Sequence, residues 1–189
     1  MRRLALVLAV FVFATGTTHA GDLSSASGHY AIIPGGSTID FALSNLVGGA
    51  IRGRFTRFAG EIDIDATDLA RSAVSIVIDP ASVEAGEPRT TAFLKSNAVF
   101  DTTRERAITF RSTHVSQTGP VAATVEGELT ARGAKGHQSF DVTMQSFDGN
   151  GIVFGVSGVV RREHYGIDVG LPIYSNDVRF DMVLMAQRH

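Results

Sequence analysis

The segment Val99–Val115, VFDTTRERAITFRSTHV, gathers Asp101, Arg104, Glu105 and Arg106 into six positions. Carboxylates beside guanidiniums could move a proton or hold an anion, provided a cleft set them against a substrate. The residues that follow argue for a plainer role. Ile108 and Phe110 alternate with Thr109 and Arg111, the period of a half-buried strand. Thr102–Arg106 therefore reads as a solvated connection, and Ala107–Val115 as the strand it enters.

The other reactive side chains form no recognisable site. His29, His114, His137, His164 and His189 lack the paired spacing of zinc ligands, and the chain has no cysteine to support them. Gly155-Val156-Ser157-Gly158 is one residue short of a nucleophile elbow and sits inside a strand pattern. Asp63, Asp65 and Asp68 resemble the start of a calcium loop, without its glycine or its distal glutamate. No phosphate-binding or dinucleotide fingerprint occurs. In Ala50–Gly60, AIRGRFTRFAG, arginines alternate with phenylalanines in the manner of single-strand nucleic-acid binders. A chain without tryptophan needs Phe55 and Phe58 for its core, so these read as buried residues. Catalysis, metals, cofactors and nucleic acid are accordingly not expected.

What must position any site here is a set of strands. Ile39, Phe41 and Leu43 alternate with polar or small residues, as do Ile62 and Ile64, and Val74, Ile76 and Ile78. The pattern returns in Val125–Leu129, in Phe140–Met144 and in Ile152–Val156. It is cleanest in Val178, Phe180, Met182 and Leu184. Such alternation puts one face of an antiparallel strand in a core. Pro34-Gly35-Gly36, Gly48-Gly49, Gly119-Pro120 and Asp148–Gly151 punctuate the runs as turns, the last as a hairpin. Only Thr90–Asn97 reads as a helix, with one further turn over Thr67–Arg71. About eight strands with one or two short helices suggest a closed barrel, since closure removes exposed edges.

The ends narrow the setting. Arg2-Arg3, the apolar run Leu4–Ala14 and Thr18-His19-Ala20 have the layout of a secretory signal peptide over residues 1–20. Residues 21–29 read as a flexible lead-in and 30–189 as one domain. Without Arg2 and Arg3 the 17 basic residues fall to 15 against 19 acidic ones, a net charge of −4. A chain so charged has no basic footprint for nucleic acid. The absence of cysteine leaves the core alone to hold a secreted domain together. A periplasmic location is expected.

Several stretches carry a likeness to the YceI-like family. Gly53–Ile62 resembles its G-x-F-x-x-F-x-G-x-I signature, and Ser72–Gly86 is similar to its V-x-I-D-x-x-S-x-x-x-G segment. Leu94–Asp101 resembles L-[KR]-S-x-x-F-F-D, Ile108–Thr113 resembles I-T-F-x-S-T, and Gly127–Gly133 resembles G-x-L-T-[IL]-R-G. Arg162–Ile167 is a looser R-x-D-F-G-[IL]. The likeness runs in order from Tyr30 to the C-terminus. There are departures: Ile33–Ser37 keeps only the serine of D-x-x-H-S, and Thr90–Leu94 stands where the family often has R-D-x-H-L. Ala107 and His137 replace prolines, and His164 an aspartate.

The resemblance implies an all-β, eight-stranded antiparallel lipocalin-like barrel with a helix near its mouth. It further implies a long apolar interior that takes an isoprenoid or other long-chain amphiphile, and it leaves a homodimer open. On that reading Phe41, Phe55, Phe110, Phe140, Phe154 and Phe180 line the interior, and Phe93 and Phe100 guard the entrance. Each buried CH₂ contributes up to about 0.8 kcal/mol, so three or four isoprene units offer roughly 10 kcal/mol. Micromolar binding needs about 8 kcal/mol net of ordering costs. The rivals are an envelope-stress or protein-interaction module with a packed barrel and no ligand, and an enzyme that uses the barrel as a reaction chamber.

Overall fold

The computed structural model describes residues 22–189, so the expected signal peptide lies outside the described residues. The chain runs through β1 (Gly28–Ile32), β2 (Thr38–Asn45), β3 (Ala50–Phe55), β4 (Phe58–Ile64), β5 (Ala73–Ile78) and β6 (Val83–Ala85). Helix α1 (Pro88–Lys95) follows, then β7 (Ile108–Gly119), β8 (Ala122–Ala131), β9 (Ala134–Phe147), β10 (Gly151–Arg161) and β11 (Tyr174–Arg188).

Register turns these pieces into eight staves. Gly28 to Ala31 pair with Ile64 to Glu61, and Ile39 to Leu43 pair with Phe55 to Ile51. Hence β1–β2 is one bent strand lying antiparallel to another, β3–β4. The same holds for β5–β6, through Phe58↔Ile78 and Phe55↔Val83. With β7 to β11 the staves form an all-antiparallel meander, and β11 closes it by pairing with β2 and, at Ala186 to Arg188, with β1. The result is the expected closed eight-stranded barrel.

Three neighbouring staves break at one level, and each break satisfies its own backbone. Ser37 Oγ donates to Ile33 O (2.8 Å) and accepts from Met185 N (2.9 Å). This is the one residue kept from the first family motif, and it ties the β1–β2 bend to β11. At the β3–β4 bend, Thr56 N donates to Ser82 Oγ at 3.2 Å, and Ser82 Oγ donates to Asp79 O at 2.7 Å. Buried polar groups left unpaired would cost stability, which explains a fully buried serine among apolar neighbours.

The helix lies two residues earlier than its sequence pattern suggests. Pro88, with no N–H to lose, opens it, and Ser96 Oγ caps the Phe93 carbonyl at its end. Thr91 Oγ1 accepts from Ala85 N (2.9 Å), clasping α1 to β6. The expected turn at Thr67–Arg71 is a single 3-10 turn over Leu69–Arg71.

Residues 22–29 differ from the expected flexible lead-in. Leu23 and Ala26 are buried and Gly28-His29 open β1, so the described part of the segment stops one end of the barrel. Tyr30 Oη donates to Ala26 O (2.9 Å) and accepts from Arg188 Nη2 (2.7 Å). Burial raises the Tyr30 phenol pKa, and the Arg188 charge partly offsets it.

Candidate ligand-binding chamber

The other end of the barrel is hollow. An apolar cavity of about 540 Å³ opens beside α1 and the loop before β11. The pleat turns Ile39, Phe41 and Leu43 of β2 and Val178, Phe180 and Met182 of β11 into the barrel. Phe41 from β2 and Phe180 from β11 meet inside with ring centroids 6.0 Å apart. Phe55 lies 5.4 Å from Phe41. Leu43, Ile51, Val160 and Val178 extend the same apolar wall toward the opening. The interior is therefore not filled by its own side chains, the condition on which the packed-module reading rested.

A second apolar space of about 110 Å³ lies below, against Leu23 and Leu69 at the stopped end. The two spaces have only Phe140 and Met182 in common among their walls. Phe110 packs edge-on against Phe140 with centroids 5.2 Å apart.

The eight phenylalanines singled out in the sequence thus divide. Phe41, Phe55, Phe100 and Phe180 come together in the upper chamber, Phe140 sits between chambers, and Phe110 and Phe154 face the lower one. Phe93 stands at the opening, 42 % exposed. Phe100, expected beside it, instead sits inside, 5.3 Å from Phe55 and 6.2 Å from Phe41. The loop after α1 turns it inward, where Arg132 Nη1 holds the Asn97 and Val99 carbonyls at 2.8 and 2.6 Å.

The main polar feature of the wall is Arg162, which sequence reasoning left unassigned. It is 4 % exposed. Its Nε donates to Ser175 O at 2.8 Å, Nη1 to Ile167 O and Val169 O at 2.8 and 2.9 Å, and Nη2 to Tyr174 O at 3.3 Å. Burial lowers its pKa, against the opposing pull of Asp168 and Glu163; an arginine remains charged at ordinary pH all the same. A signal was present: Ile152, Phe154, Val156 and Val160 set the inward face of β10, and Arg162 continues that alternation. Tyr165, also missed, is buried on the same wall, and its hydroxyl accepts from Gln138 Nε2 at 3.1 Å. Burial raises its pKa.

Chemically, this is a place to hold an apolar chain out of water. The buried guanidinium on its wall, Arg162, is already committed to backbone carbonyls. Among the described residues there is no group of three or more potential metal ligands. Phe55 and Phe58 are buried, while Arg54 and Arg57 point outward to Asp40 and Asp79 at 2.6 Å each, so the aromatic–arginine alternation offers no stacking surface. At the open end Leu46, Val47 and Ile173 are exposed, with Leu46 N bonded to Ile173 O at 3.1 Å.

Comparison with known proteins agrees with this architecture. A family model described as YceI-like domain matches residues 30–186. A UPF0312 protein of Vibrio parahaemolyticus is 31 % identical over 126 residues, covering 65 % of this chain and 67 % of the relative. A UPF0312 protein of Staphylococcus aureus is 26 % identical over 159 residues, covering 77 % and 89 %. Among solved structures, Burkholderia cenocepacia BcnA superposes with a TM-score of 0.76 at 20 % identity, over 82 % of this chain and 99 % of that one. A polyisoprenoid binding domain from Saccharophagus degradans, implicated in plant cell wall breakdown, gives 0.69 at 18 % identity, over 85 % and 98 %.

Proposed function

This chain belongs to the YceI-like family, and from that premise we propose that it is a periplasmic carrier that holds an isoprenoid-type or similar amphiphilic lipid in its barrel and performs no catalysis of its own. The observation that carries this reading is the open apolar chamber of about 540 Å³. Small-molecule sites run from about 300 to 1,000 Å³ and are mostly apolar with a few polar groups. A polar head group would lie at the mouth, near Arg89 and Thr90 of α1, while Phe41, Phe55, Phe100 and Phe180 take the tail. The polyisoprenoid binding domain that shares the fold supports a ligand of this type.

Binding of this kind is recognisable by its heat capacity, because burial of apolar surface gives a negative ΔCp. Titration of the protein with geranylgeraniol at several temperatures is expected to give micromolar affinity and a clearly negative ΔCp. Absence of a binding isotherm at every temperature, with no displacement of a fluorescent apolar probe, would overturn the proposal.

A further inference from the structure

We propose that Phe140 and Met182 form a partition that sets the longest tail the barrel accepts; the inference rests on the carrier reading above and concerns the same interior. The upper space of about 540 Å³ and the lower one of about 110 Å³ share only these two residues among their walls.

The partition is built from the two strands that flank β10. Phe140 projects from β9 and is paired directly with Gly158 of β10. A Cβ at Gly158 would collide with the Phe140 ring, so the ring lies flat in the room that this glycine leaves. Phe110 is seated the same way over Gly127 of β8, and the two rings brace each other edge-on at 5.2 Å. A close-packed ring pair of this kind has few alternative rotamers. Met182, from β11, is the adaptable member, since an unbranched thioether shifts rotamer at little cost.

Volume then fixes the length. At about 30 Å³ per heavy atom, the share a water molecule takes in its liquid, the upper chamber holds on the order of 18 heavy atoms. That matches a tail of three to four isoprene units. A further unit needs roughly 150 Å³ on the same measure, which the lower space alone does not provide. Removal of the Phe140 ring would supply the difference and join the two spaces.

The test is affinity across geraniol, farnesol, geranylgeraniol and geranylfarnesol, read by displacement of a fluorescent apolar probe from the folded protein. In the wild type, affinity is expected to climb about tenfold per unit through farnesol and then level off at geranylgeraniol, changing less than about threefold beyond it. Phe140→Ala moves the plateau one unit longer and raises geranylfarnesol affinity by about tenfold over the wild type. Ala123→Leu, which fills the lower space from β8, leaves the wild-type series unchanged and cancels the gain when combined with Phe140→Ala. Should Phe140→Ala fail to fold, Met182→Ala opens the partition from β11 and must move the plateau likewise. A wild-type series that keeps climbing past geranylgeraniol, or a plateau unmoved in the opened variants, overturns the partition while leaving the carrier reading intact. Failure of every alcohol to bind the wild type overturns both.

Discussion

Replacing Arg162 with methionine is expected to lower the midpoint of thermal unfolding by roughly 10 °C, at about 2–4 °C per kcal/mol for a domain of this size. Methionine keeps much of the side chain's length and apolar stem but none of its N–H groups. Four carbonyls, those of Ile167, Val169, Tyr174 and Ser175, would lose their donor together. An orphaned buried acceptor costs about 1–3 kcal/mol, and those nearest the opening can recover water, which puts the net near 4 kcal/mol. Because two of these carbonyls belong to the crossing from β10 to β11 and two to the first residues of β11, the loss should be local as well as global. Amide exchange should rise first over residues 166–175. Arg162→Lys restores the charge without the planar fork and should recover only part of the stability. A midpoint within about 2 °C of the wild type for Arg162→Met would mean that the crossing stands without this cage.

The second large effect concerns the chamber itself. Val178 sits on the inward face of β11, opposite Leu43 of β2 and Val160 of β10, all three on the chamber wall. Val178→Trp places an indole in the space reserved for the tail. In a filled core such a change would cost about 1–3 kcal/mol through overpacking. Here the indole meets a void, so unfolding stability should stay within about 1 kcal/mol of the wild type. Geranylgeraniol affinity should fall by at least about 100-fold, close to 2.7 kcal/mol. Val159→Trp, one residue along on the exposed face of β10, provides the control and should leave both quantities unchanged. If Val178→Trp unfolds the protein, or if it folds and still binds, the space beside Val178 is not the ligand's.

Much of the barrel was legible in the sequence because its signal is local. Val178, Phe180, Met182 and Leu184 alternate within one strand, and strand alternation survives any arrangement of the neighbours. The breaks in the first three staves were less visible. Pro34-Gly35-Gly36 reads as the end of a strand, yet β1 and β2 share one register against β3–β4. Only pairing across the sheet shows that the chain continues in line. The helix starts two residues before the expected Thr90, because Pro88 serves as a first-turn residue.

For the site, the phenylalanines were legible as inward-facing residues, and their division into two chambers was not. Whether a ring packs or lines a void depends on its neighbours in space, and for Phe140 one of these is Gly158, eighteen residues away in sequence and paired with it on the adjacent strand. Phe100 is expected at the entrance on the family resemblance, but the Arg132 clasp turns its loop inward. Arg162 was the sign most open to reading, since it continues an inward alternation that every earlier member keeps apolar. An arginine on that face requires either an acid partner or a cage of carbonyls, and the second of these is the local device that the crossing loop provides.

The central claim is that this barrel carries a lipid, and native mass spectrometry tests it most directly. The protein would be expressed with its own N-terminal segment and purified from the producing cells without detergent. It would then be measured intact and after solvent extraction. The account predicts an adduct whose extract contains a prenyl-type lipid, with a tail of three to four isoprene units preferred over longer homologues. A bare polypeptide mass, unchanged after incubation with prenyl alcohols and isoprenoid quinones, would contradict it.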